Sequence, residues 1–154
     1  MIDADRFRET LAHWASGVAV AAVRDEAKVH ATTVTAFLSI SVQPPMVLIS
    51  LGPSAQILPF IPLGTSFGVS VLGAEQARLA SVFADSYPVG ASPFALEGVP
   101  LITDALVRMS CRVERIDQAG DHRLVHALVE RSEVGSGDPL VRFGRAYHRL
   151  PTDG

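Results

Sequence analysis

Short apolar runs set between polar turns dominate the chain, and helical spacing is confined to a few stretches. Phe7, Leu11, Trp14 and Ala15 fall at i, i+4, i+7 and i+8, one face of an amphipathic helix. Asp3 or Asp5 is placed to cap it, and Ser16-Gly17 to end it. Val18 to Val23 reads as a buried strand, Arg24 to Lys28 as a polar turn, and Val29 to Val34 as the returning half of a hairpin. Met46 to Leu51 is apolar enough to be buried on both faces. Gly52-Pro53-Ser54 is a turn, and Ala55 to Phe60 a short helix stopped by Pro62. Phe67 to Leu72 predicts another strand, and Ala74 to Phe83 a second helix with Leu79, Val82 and Phe83 facing inward. Asp85 to Pro100, with three prolines and two glycines, predicts a long irregular segment. Ala105 to Ile116 and Leu124 to Val134 form a hairpin about Gly120-Asp121-His122, and Leu140 to Leu150 is a last strand. About seven strands joined mostly by hairpins predict a mainly β chain, an antiparallel barrel with peripheral helices packed outside it rather than a βαβ sheet. No repeat, linker or low-complexity segment interrupts residues 1–154, so a single domain is expected.

One stretch departs from this pattern. Ala31 to Pro45 holds five hydroxyl side chains within ten residues, Thr32, Thr33, Thr35, Ser39 and Ser41, with apolar residues between them and a double proline at its end. Two readings follow. It is a strand running into a loop that presents backbone N–H groups and neutral hydroxyls to a polar ligand, or it is a threonine-rich half-buried strand, threonine being a good strand former.

Composition narrows the chemistry. The net charge of -3 argues against nucleic acid as the main partner, and no apolar run approaches the roughly 20 residues that span a bilayer. The N-terminus lacks a signal-peptide pattern, and the single Cys111 can form no internal disulfide; a cytoplasmic protein is expected. No phosphate-binding P-loop, dinucleotide glycine fingerprint, serine nucleophile elbow or zinc-protease helix motif is present. His122 and His126 fall on one strand face, but only Asp121 and Glu130 lie near enough to complete a metal set, so no metal site is expected. With no acid–base–nucleophile set, hydrolysis is disfavoured and chemistry carried by a bound cofactor is favoured, hydride transfer to a flavin being the simplest case.

In order along nearly the whole chain, the sequence resembles the short-chain flavin reductases of two-component monooxygenases. The matching segments are Phe7 to Val18, Ala31 to Pro45, Ser54, Phe67 to Leu72, Leu79 to Phe83, Gly98 to Leu101, Gly120 to His122 and Pro139 to Tyr147. The resemblance implies the FMN-binding split β-barrel, antiparallel and Greek-key-like, and an NAD(P)H:flavin oxidoreductase that reduces FMN or FAD with NADH or NADPH and supplies a separate flavin-dependent monooxygenase. It implies a homodimer with flavin near the interface. A flavin carrier without reductase activity is the alternative.

The resemblance also implies roles. Thr33, Val34, Thr35 and Ala36 would line the isoalloxazine and ribityl edge. Ser39, Ser50 and Ser54, with the adjoining Ala55, would approach the ribityl chain and phosphate, helped by a helix beginning near Ser54. Phe83 would border the flavin, Tyr147 would close the pocket, and His122 would contact the nicotinamide nucleotide. No residue is expected to act as an acid, base or nucleophile, because positioning alone serves hydride transfer.

Overall fold

A computed structural model describes residues 1–85, 92–95 and 97–150. Helix α1 (Ala4–Leu11) comes first, followed by strands β1 (Ser16–Gly17), β2 (Ala19–Asp25), β3 (Lys28–Val34), β4 (Phe37–Ser41), β5 (Met46–Leu51) and β6 (Ser66–Val71). After helix α2 (Ala77–Ala84) come β7 (Phe94–Ala95), β8 (Leu101–Ile102), β9 (Val107–Ala119), β10 (His122–Val134), β11 (Leu140–Phe143) and β12 (Ala146–Arg149). Every strand pairing is antiparallel. The main sheet has seven strands in the order β3-β2-β6-β9-β10-β5-β4, with β3 and β4 as its open edges, so the barrel is split rather than closed. A second sheet, β1-β11-β12, and the pair β7-β8 flank it.

The curled sheet surrounds one core and carries another on its outer surface. Ala19, Ala21 and Val23 point inward with Phe67, Val69, Ile49, Val113 and Val125. Val20 and Ala22, the alternate residues of the same strand, point outward under Ala80 and Phe83 of α2, with Ile102 and Leu140. Successive buried residues in β2 are therefore the mark of a strand covered on both sides. Each fully buried large aliphatic or aromatic side chain contributes about 1.5–3 kcal/mol.

Several elements differ from the sequence reading. The hydroxyl-rich stretch contains a separate edge strand, β4, after a bend at Thr35-Ala36. Strand β5 is buried on one face only, through Val47, Ile49 and Leu51. The expected helix from Ala55 to Phe60 is a single 3-10 turn, Leu58–Phe60, because Pro59 cannot donate and Ile57 and Ile61 are both drawn into the inner core. The expected last strand is two, β11 and β12, joined by a tight turn in which both Gly144 (φ 58°) and Arg145 (φ 64°) are left-handed. Arginine at such a position costs on the order of 1 kcal/mol relative to glycine. In α2 the residues fully buried are Ala80 and Phe83, while Leu79 and Val82 are half-buried against the outer core. Part of the expected irregular segment, residues 86–91 and 96, lies outside the described residues.

One glycine in the sheet has a steric cause. A Cβ at Gly68 would fall far inside the contact distance of the Pro100 carbonyl oxygen and 2.9 Å from the Leu101 side chain. The Pro100–Leu101 backbone crosses directly over β6 there, and Ser70 on the same strand accepts the Ile102 N–H at 2.9 Å. Gly68→Ala is expected to cost about 1–3 kcal/mol by overpacking, lowering Tm by at least about 3 °C. Gly17→Ala, where a Cβ meets nothing within 4 Å, is the control and should leave Tm unchanged in the same thermal melt.

Candidate functional site

The bend between β3 and β4 is built by the two strands it joins. Strand β3 pairs with β2 up to Val34, opposite Ala19, and β4 pairs with β5 from Phe37, opposite Ile49. Between them the Ala36 carbonyl accepts the Ser50 N–H at 2.9 Å, which pins the bend to β5. Beside this bend lies a cavity of about 1110 Å³. Val34 to Leu38 line it from the bend, and Phe7 and Leu11 of α1 line it too, with Trp14 just beyond that helix. Asp3 caps that helix by accepting the Arg6 N–H at 2.8 Å, and no residue of α1 is buried. Its apolar face is turned to the cavity with Trp14 still 73% exposed. The helix is tied to the β11–β12 turn by the Gly144 N–H, which donates to the Ala12 carbonyl at 2.8 Å.

His122 enters the same cavity from the β9–β10 turn. Gly120 takes φ 61°, as a two-residue hairpin turn with glycine at its first position requires. Asp121 and His122 meet through Oδ1 and Nδ1 at 2.7 Å. That hydrogen bond is the largest cause holding the Asp121 carboxyl below the usual range, and the charge of Arg8 on α1 adds to it. A carboxylate partner makes Nδ1 the protonated nitrogen, leaving Nε2 as an acceptor. Nε2 lies 3.5 Å from where a Cβ on Gly52 would stand, so the ring rests against the start of the Gly52-Pro53-Ser54 turn.

The sequence-nominated residues therefore fall into distinct places. Val34, Thr35, Ala36 and His122 line the cavity. Ser50 stands behind it, acting through its amide on Ala36. Ser54 is exposed in the turn beside His122, and Ala55 closes that turn by donating its N–H to the Gly52 carbonyl at 3.0 Å. No α-helix begins near Ser54, so the expected helix-end charge is absent there. Ser39 lies exposed on β4 opposite Val47. Thr33 points to the other face of the sheet, where its hydroxyl donates to the Ala80 carbonyl of α2 at 2.7 Å. Phe83 is buried in the outer core with its ring 5.5 Å from that of Phe94. Tyr147 is half-buried at the same core, with the Arg142 guanidinium 4.7 Å above its ring. Burial raises the Tyr147 phenol, so it remains neutral.

Sequence reasoning missed the cavity's cations. Arg8, Arg142 and Arg145 line it, contributed by α1 and the β11–β12 hairpin. Arg145 stood within a matching segment, but its place at the cavity depends on the unexpected turn. Among the described residues no group of three metal-ligating side chains occurs, and His126 is engaged by Asp117 at 2.9 Å. Cys111 is fully buried in the inner core, and burial pushes its thiol up to about 12. Near neutral pH it therefore stays a thiol rather than the reactive thiolate. In native protein Cys111 is expected to be inert to a disulfide-exchange reagent and to react fully once unfolded. Rapid labelling of the native state would show that the strand β9 core is open.

A family model described as "Flavin reductase like domain" matches residues 11–151. The chain is 39% identical over 147 residues to the 4-hydroxyphenylacetate 3-monooxygenase reductase component of Thermus thermophilus, covering 95% of this chain and 96% of that one. It is 36% identical to the NADH-dependent flavin reductase StyB of Pseudomonas fluorescens, over 97% and 92% of the two chains. A solved flavin reductase in its native state superposes with a TM-score of 0.90 at 35% identity, over 98% of this chain and 100% of that one.

Proposed function

The chain belongs to the flavin reductase-like domain family, and from that premise we propose that it is a single-domain NADH:flavin oxidoreductase over residues 1–154, passing reduced FMN or FAD to a separate monooxygenase. The observation that carries this reading is the convergence of the Val34–Leu38 bend and His122 on one cavity of about 1110 Å³. That is slightly more than the usual small-ligand pocket of about 300–1,000 Å³, room for a flavin ring with a nicotinamide against it. A flat ring system fits walls formed by Val34, Ala36 and the apolar face of α1, with Thr35 as a neutral polar edge.

When bound, the flavin supplies the hydride-accepting chemistry. The chain positions and excludes water. Hydride transfer needs the two rings within about 3–3.5 Å of each other, and the bend pinned by Ser50 offers a fixed wall against which to set one of them. His122, oriented by Asp121, is placed to hold the dinucleotide at the mouth, and Phe7, Leu11 and Trp14 shield the interior. Ser54, in the turn that Gly52 opens against the His122 ring, is the nominated phosphate contact. A flavin carrier without reductase activity finds no support in relatives named as reductases.

A homodimer belongs to the same proposal. Leu38, Ile40 and Val42 are exposed on and just beyond the edge strand β4, a row that a second copy would cover. We also place the protein in the cytoplasm, in keeping with one cysteine and no disulfide; among the described residues no helix is long and apolar enough to cross a membrane.

Steady-state NADH oxidation with added FMN or FAD tests the activity directly, and its absence with both flavins would end the proposal. His122→Ala is expected to raise the KM for NADH several-fold with flavin affinity nearly unchanged; the reverse result would move the dinucleotide elsewhere. Ser54→Asp should weaken FMN binding at least about tenfold in a fluorescence titration, because charges about 4 Å apart near a surface repel by up to about 4 kcal/mol. Light scattering at micromolar protein should give twice the chain mass; a monomer would remove the dimer.

A further inference from the structure

The cavity's charge runs against that of the chain. The protein carries a net charge of -3, yet three arginines line the cavity against one aspartate. Arg8 is answered locally by Asp5 at 2.8 Å. Arg142 and Arg145 have no ion-pair partner among the described residues. The contrast lies within one hairpin: Arg149, at its far end, is held by Asp138 at 2.7 Å and Glu75 at 2.9 Å. Acidic groups do stand on the outer side of Arg145, where it borders a shallow depression with Asp3, Asp5 and Glu9, but none closes on it.

Arg142 is held in place by other means. The Arg142 guanidinium lies over the Tyr147 ring, so its plane is fixed while its N–H edges stay available. Arg145 sits at the turn between them at φ 64°, a conformation better suited to glycine. A charged, multi-donor side chain kept there against backbone preference, beside a second unanswered guanidinium and facing the same cavity, makes a receptor for an oxyanion.

We propose that Arg142 and Arg145 form an anion cradle at the cavity mouth that takes a phosphate group of the nucleotide ligand. The proposal rests on the flavin reductase reading and deepens it. The phosphate is that of the flavin nucleotide or of the nicotinamide dinucleotide, which share this chemistry. It also gives the loaded protein cationic phosphate contacts where the sequence pointed only to neutral hydroxyls.

The test uses Arg145→Gly and Arg142→Gln. Arg145→Gly suits the left-handed backbone, so its Tm should hold or rise while phosphate recognition falls; a merely structural arginine would lower Tm and spare binding. Dissociation constants are measured for FMN and for riboflavin, which lacks the phosphate. KM is measured for NADH and for 1-benzyl-1,4-dihydronicotinamide, a hydride donor without phosphate. Inorganic pyrophosphate is titrated alone by calorimetry. Each variant should weaken a phosphate-bearing ligand about fivefold or more and leave its phosphate-free counterpart within twofold. Loss confined to FMN assigns the flavin phosphate, and loss confined to NADH assigns the dinucleotide. Pyrophosphate should bind the wild type and bind both variants more weakly. Equal effects on phosphate-bearing and phosphate-free ligands, or unchanged pyrophosphate binding, would overturn the cradle. A wild type that binds pyrophosphate but reduces no flavin would leave the cradle standing and sink the flavin reductase reading instead.

Discussion

A strand apolar on both faces has to be covered on both, and β2 imposes that requirement here. Ala19, Ala21 and Val23 demand a filled barrel; Val20 and Ala22 demand a layer outside it. The inner demand is met by curling the seven-stranded sheet around Phe67, Ile49 and Val125. The outer one is met by α2, which the Thr33 hydroxyl ties to β3 by bonding to the Ala80 carbonyl. Small residues at positions 19, 21 and 22 allow both layers to approach closely.

This division leaves the bend beyond β3 exposed. There the chain turns at Thr35-Ala36, and α1 lines the cavity beside it without burying a residue. An amphipathic helix whose apolar side meets a cavity, instead of a core, gives up packing that other helices use for stability. In this chain the surrendered packing is the space in which ligand would sit. The β9–β10 hairpin then delivers His122, and the β11–β12 hairpin delivers Arg142 and Arg145, to the same opening.

Much of the fold was legible because its strands are apolar runs between strong turn signals, as at Gly120-Asp121 and Arg24 to Lys28. An aspartate cap, Asp3 of the two candidates Asp3 and Asp5, and the hairpins β2–β3 and β9–β10 followed from local rules. The misses have separate physical causes. Leu38 and Ile40 alternate with Ser39 and Ser41 as a strand should, but they face outward, so periodicity alone did not separate β4 from a loop. Ile57 and Ile61 have helical spacing, yet their burial at the end of the barrel leaves only a 3-10 turn. The Gly144-Arg145 turn escaped notice because arginine is not a left-handed residue by preference. Of the candidate site, the bend at Val34–Ala36 and the turn at His122 were readable from the hydroxyl-rich stretch and the Gly-Asp-His signal. Thr33, Phe83 and Tyr147 belong to the outer core or its border, a distinction that depends on which face of a strand or helix each side chain takes.

The most direct measurement is a crystal structure of the protein with FMN bound. The isoalloxazine ring is expected in van der Waals contact with Val34, Thr35 and Ala36, inside the cavity beneath Phe7, Leu11 and Trp14, with His122 at its mouth. Flavin density on the outer surface by α2 and Phe83, with the Val34–Ala36 bend still open to solvent, would contradict it.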